Sequence, residues 1–194
     1  MSAQGGDADF PGGRPTLLLL QARLPGDAMA AHEVTACARA LRLPESQIRP
    51  WDLLGGAPGD RELAEADGVL VGGSGDFSVL DDAPFLKDFV DFLARLVADR
   101  VPTFASCFGF QGLVLAGGGE VVHDADRAEV GTFRITLTDA GADDPLLGAL
   151  APSFEAQLGH KDRATRLPAG SLHLASSERA PFQAMRIEGT PVFA

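Results

Sequence analysis

The first strong signal in the chain is an unbroken apolar run within Pro15–Ala22, Thr-Leu-Leu-Leu-Leu, which predicts a strand buried on both faces. From Asp27 to Leu43 the period changes. Ala30, Val34, Cys37, Ala38 and Leu41 recur at helical spacing, and Pro44 stops the pattern. Gln47–Leu53 reads as a second strand, Asp60–Ala66 as a short helix, and Gly68–Val71 as a third strand running into Gly72-Gly73-Ser74-Gly75. Pro84 opens an amphipathic helix reaching Asp99, with Phe85, Phe89, Phe92, Leu93 and Leu96 on its core side. Val101–Ser106 is another apolar strand, cut off at Cys107, and Gly109–Ala116 reads as a helix. Alternating strands and helices imply a mostly parallel central sheet flanked by helices, an α/β fold.

Beyond Gly117-Gly118-Gly119 the pattern shortens. Glu120–His123, Gly131–Thr138, Ser153–Gly159, Ser171–Ser177 and Phe182–Ile187 read as strands with polar turns between them, an antiparallel portion added in the C-terminal half. Asp143–Leu150 reads as a helical turn. Met1–Arg14, rich in Gly, Asp and Pro, is expected to be a flexible lead-in, so the domain spans 15–194. A total of 194 residues is the size of one domain.

Charge narrows the function classes. The formal net charge is −11, and so acidic a surface repels phosphate backbones, which excludes nucleic acid as the expected partner. No apolar run approaches the ~20 residues of a membrane span. The N-terminus lacks a basic start followed by an apolar core, so no signal peptide is read and a reducing, cytoplasmic location is expected. Two cysteines, Cys37 and Cys107, make no disulfide framework. No cofactor is implied. Asp81-Asp82 reads as a capping pair, and His123 with Asp124 and Asp126 as a solvated loop, so no metal site is expected.

The candidate chemistry centres on Cys107. A strand, a sharp turn and a helix form the setting of a nucleophile elbow, and Ala105 and Gly109 are the small residues such a turn needs on either side. A thiol at the amino end of a helix is expected to have its pKa lowered by the helix dipole. The alternative is a buried structural thiol. The glycines after Val71 sit on the carboxyl edge of a parallel strand, where backbone amides approach a ligand closely, or else form a plain strand-to-helix turn. The amides of Gly73 and Phe108 are the pair that could hold an oxyanion. Cys37 lies on an apolar helix face and reads as inert core.

Four segments, in order, resemble the class I (triad) glutamine amidotransferases, especially domains similar to the amidotransferase part of GMP synthetase. Asp67–Gly75 resembles the strand and oxyanion loop "DGxxxxGGPG", with Ser74 in place of proline. Pro102–Gln111 resembles "PxxGxCxGxQ", with Ala105 in place of the first glycine. Glu129-Val130-Gly131 resembles "E(V/L)G". Gly159–Gly170 resembles "SHxDxVxxLPxG".

The resemblance implies a flavodoxin-like three-layer fold and a glutaminase reaction that releases ammonia. Cys107 would be the nucleophile, Gly73 and Phe108 the oxyanion hole, and Gln111, Gly75, Lys161 and Asp162 the surroundings of the glutamine. A separate synthetase could accept the ammonia. The family's "QFHPE" motif, which supplies the general base and its orienting Glu, would follow Pro191-Val192-Phe193-Ala194 and is absent from the chain as given. The resemblance thus leaves open a truncated enzyme, a base from elsewhere, a catalytically silent binding module, or hydrolysis of another γ-glutamyl amide. None of His32, His123, His160 or His173 is assigned as the base, and the oligomeric state is not readable.

Overall fold

A computed structural model of the chain describes residues 13–194. The expected lead-in therefore lies, but for Gly13 and Arg14, outside the described residues. Among the described residues a nine-stranded sheet runs through the molecule, made of β1 (Leu17–Gln21), β2 (Ile48–Asp52), β3 (Gly68–Val71), β4 (Thr103–Ala105), β6 (Glu129–Leu137), β7 (Ser153–His160), β9 (Ser171–Ser176), β10 (Ala184–Ile187) and β11 (Val192–Phe193). Their order across it is β2-β1-β3-β4-β11-β10-β9-β6-β7. The half from β2 to β11 is parallel. From β11 to β7 every pairing is antiparallel. A separate ribbon pairs β5 (Glu120–His123) with β8 (Asp162–Arg166).

The Leu17–Leu20 run behaves as a strand covered on both faces requires. Leu18 and Leu20 join the main core with Val69 and Val71, against the helices α3 (Pro84–Ala98) and α4 (Phe108–Ala116). Leu19 faces the other way, packing with Ala38 of helix α1 (Met29–Leu41), Leu43 and Ile48. Successive side chains point to opposite faces of a strand, so two helical layers are needed to keep Leu18, Leu19 and Leu20 dry, with Leu17 partly buried at the strand's start. The short helices α2 (Asp60–Ala64) and α5 (Asp139–Ala142) complete the α-helices among the described residues. No described helix is long and apolar enough to cross a membrane.

Several local rules are visible. Pro84 occupies the first turn of α3, where its missing N–H costs nothing. Phe85, Phe89 and Phe92 are buried in the main core, as their spacing requires. Trp51 is partly buried and donates from its ring to the Gly56 carbonyl at 2.8 Å. Asp81 accepts from the Ser78 amide at 2.7 Å. Sequence reading missed β8, because the polar run Asp162–Arg166 is held by pairing with β5 and by Ala164 entering the core rather than by any apolar alternation of its own. Asp143–Leu150 contains one short 3₁₀ turn, Gly148–Leu150.

Candidate active site

Cys107 sits between β4 and α4 with φ 52° and ψ −103°. Positive φ is rare for a residue with a Cβ and costs on the order of 1–3 kcal/mol, so it persists only where the surroundings enforce it. Here they do. Ser106 donates its amide to the Val71 carbonyl at 2.9 Å, carrying the β3–β4 pairing to the brink of the turn. On the far side the Gly109 amide reaches Ser106 O at 2.9 Å and the Gln111 amide reaches Cys107 O at 3.0 Å, closing the first helical turn. A Cβ at Gly109 would come within 2.7 Å of the Val71 side chain, so the turn demands a glycine there. Phe108, buried, stacks on Phe89 of α3 with ring centroids 5.0 Å apart and 15° between planes.

The glycine loop after β3 meets this elbow. A Cβ at Gly73 would lie 3.6 Å from Cys107 Cβ and 3.9 Å from Sγ, so the Gly73 backbone is within van der Waals reach of the thiol. Ser74, where the resemblance expects proline, bridges two segments: its hydroxyl donates to Ala22 O at 2.9 Å and accepts from the Phe77 amide at 3.0 Å.

Cys107 is solvent-exposed as a residue, yet the protein around it is dense enough to disfavour the charged thiolate. Burial pushes the thiol pKa up. The adjacent Phe108 amide pulls it back in part. Asp162 raises it, Arg23 lowers it, and Glu33 raises it. The expectation of a lowered pKa is therefore corrected: desolvation outweighs the helix terminus, and near neutral pH the thiol keeps its proton. Cys37 is likewise raised, by burial and then by Glu33.

Two cavities meet at Cys107, and both also reach Gln111, Gly159, His160 and Asp162. One, of about 400 Å³, is polar and is walled by the 74–78 stretch, Asp81, His123 and Lys161. The other, of about 230 Å³, is apolar, with Phe110, Leu147, Leu158, Phe182, Met185 and Phe193 among its walls. The structure thus gathers Cys107, Phe108, Gln111, Gly75, Lys161 and Asp162 around the polar cavity, with Gly73 against the thiol.

Asp162 organises the cavity floor. Its backbone carbonyl accepts from the Gln111 side-chain amide at 2.9 Å. Its carboxylate takes Ser78 Oγ at 2.5 Å on one oxygen and lies 2.7 Å from His123 Nδ1 with the other. His123 closes strand β5, as the Glu120–His123 reading expects, and its side chain stays exposed to solvent while being tied to Asp162 across the β5–β8 ribbon. His160 lies between Asp162 O, 3.1 Å from Nδ1, and Glu129 Oε2, 3.2 Å from Nε2. Glu129 is fully buried and also accepts from Gln183 at 2.5 Å. His32 is exposed on α1, and His173 lies in β9 against Phe182.

Sequence reading missed Ser78, and it did not bring Glu129 together with Gln183, because in each case the partner lies far off in the chain. It also missed Glu33, although a signal was present. Glu33 falls among Ala30, Val34 and Cys37, a carboxylate inside the apolar stripe of α1.

This arrangement defines a cysteine-elbow α/β domain of the amidotransferase type. The family profile described as "Glutamine amidotransferase class-I" matches residues 32–194, and the chain belongs to that family. It is 37% identical over 135 residues to a glutamine-hydrolyzing GMP synthase subunit of Sulfolobus acidocaldarius, a match covering 68% of this chain and 66% of that one. It is 29% identical over 130 residues to a gamma-glutamyl-L-1-hydroxyisopropylamide hydrolase of a Pseudomonas species, covering 65% of this chain and 43% of that one. The match therefore spans two thirds or less of the length of either relative. Among solved structures, a glutamine amidotransferase from Methylobacillus flagellatus superposes with a TM-score of 0.71 over 93% of this chain and 68% of its own, at 24% identity, and so shares the fold.

Proposed function

We propose that the chain hydrolyses the side-chain amide of glutamine through a thioester on Cys107. The observation that carries this reading is the elbow itself: a positive-φ cysteine at a helix start, packed against Gly73 and opening into a polar cavity. In the reaction, Sγ bonds to the amide carbon and the thiol proton leaves with the amine as ammonia. Water then cleaves the thioester, giving glutamate and restoring the thiol. Gly73 and Phe108 are proposed to hold the carbonyl oxygen as it becomes negative. Gln111, Gly75, Lys161 and Asp162 are proposed to seat the glutamyl part. A separate ammonia-accepting synthetase is the proposed partner.

The test is exposure to a glutamine-like diazo-ketone followed by mass spectrometry. A single adduct on Cys107 is expected, and labelling of Cys37 without Cys107 would overturn the proposal. Asp162→Asn, which weakens the hold on Ser78 and His123, is expected to raise KM for glutamine about tenfold with a smaller change in kcat. Steady-state kinetics read this directly.

A second reading has an observation of its own. The cavity on the other side of Cys107 is apolar, which suits an amine larger than ammonia as leaving group, and one relative is named for a γ-glutamyl alkylamide. Turnover of γ-glutamyl alkylamines in preference to glutamine would favour it.

A further inference from the structure

Glu33 is the one carboxylate on the buried stripe of α1, and its side chain is only 14% exposed. Its two oxygens are held differently. Oε2 accepts from Gln21 Nε2 at 2.8 Å, and the same Gln21 amide is anchored on Ala30 O at 2.9 Å. Arg23 stands at 3.4 Å from both oxygens. Oε1 accepts the backbone N–H of Gly73 at 3.2 Å. The approach needs a bare backbone beside it, since a Cβ at Gly72 would fall 2.1 Å from Oε1. The first glycine of the pair thus admits Glu33, and the second lies against Cys107.

An amide has one hydrogen. While it points at Glu33 it does not stabilise an oxygen over Cys107, and Phe108 alone remains as a cradle donor. The carboxylate also places negative charge near the spot where the oxyanion develops. The bond is longer than the usual 2.9–3.0 Å for N–H···O, and Oε1 keeps Arg23 if Gly73 leaves. It can therefore be exchanged at small cost.

We infer that Glu33 is a positioning residue that latches the oxyanion cradle: it holds the Gly73 N–H in the resting enzyme, and acylation of Cys107 requires the Gly73 N–H to exchange Glu33 for the substrate oxygen as its hydrogen-bond acceptor. The inference rests on the Cys107 reading above. The charged groups acting on the thiol are Glu33 and Asp162, which oppose its ionisation, and Arg23, which favours it. His123 and His160 line the adjoining cavities.

Glu33→Gln is the test, because it keeps shape and replaces a charged acceptor by a neutral one of about half the strength. The Gly73 amide proton is expected to move upfield in the ¹H–¹⁵N spectrum and to exchange faster. Iodoacetamide is expected to alkylate Cys107 faster at a given pH. The kcat for glutamine is expected to rise about tenfold with KM nearly unchanged, against the 10²–10³-fold that a complete oxyanion donor is worth. Glu33→Asp, which keeps the charge but shortens the reach, is expected to release the same amide proton. It guards against a folding artefact, together with thermal melting of both variants. An unmoved Gly73 resonance, or a kcat that falls or stays level once the resonance has moved, overturns the latch. The amide readout needs no turnover, so a moved resonance with no diazo-ketone adduct on Cys107 sinks the parent reading alone.

Discussion

Cys107→Ser is expected to lower glutamine hydrolysis by about 10⁴-fold or more, the scale on which removing a nucleophile acts when nucleophile, cradle and binding work as a unit. The fold should be untouched, because the change replaces a thiol by a slightly smaller hydroxyl at an exposed position, and melting should report little shift. In the unaltered protein, the pH dependence of Cys107 alkylation gives a second readout. Burial favours the neutral thiol and moves its pKa upward, so the thiolate is a minor form near pH 7 and the rate should climb with pH into the alkaline range. A rate already level below pH 7 would contradict that direction. Residual hydrolysis by the serine variant within tenfold of the parent would mean that Cys107 is not the nucleophile.

Phe89→Ala should produce the largest loss of stability among single changes near the site. Phe89 is fully buried, stacks on Phe108, and fills the space that a Cβ at Gly112 would otherwise enter, at 2.7 Å. Truncating a buried Phe costs about 3–5 kcal/mol through lost burial and the cavity left behind. For a domain of this size that corresponds to a drop in Tm of roughly 10 °C. Because Phe108 follows the nucleophile directly, the same change should slow Cys107 alkylation by loosening the start of α4. Denaturant titration and alkylation kinetics on one sample separate the two effects. A loss under about 1 kcal/mol would show that α3 does not brace the elbow.

How much was legible beforehand can be judged residue by residue. Strand β3 was readable as a short apolar run ending in glycines, and the phenylalanine face of α3 from its period of 3.6, because both patterns report burial whatever the partner. The elbow was readable because a backbone as tight as that around Cys107 requires Ala105 and Gly109 as neighbours. Strand β8 was not, for its support comes from β5, whose pairing residues lie some 40 positions earlier. The sign of the Cys107 pKa shift was misjudged for a related reason. A helix terminus is visible in one segment, whereas desolvation is a sum over everything that packs around the sulfur.

The order of residues alone settled that strands and helices alternate, that one cysteine stands at a strained turn, and that glycines follow the third strand, because each is a short-range demand on the backbone. Only the folded chain decided that Glu33 reaches Gly73 across 40 residues, that Asp162 joins Ser78 to His123, and that Glu129 lies buried against His160 and Gln183. Such meetings depend on how the sheet stacks its strands and lays helices upon them, and no local pattern carries that information.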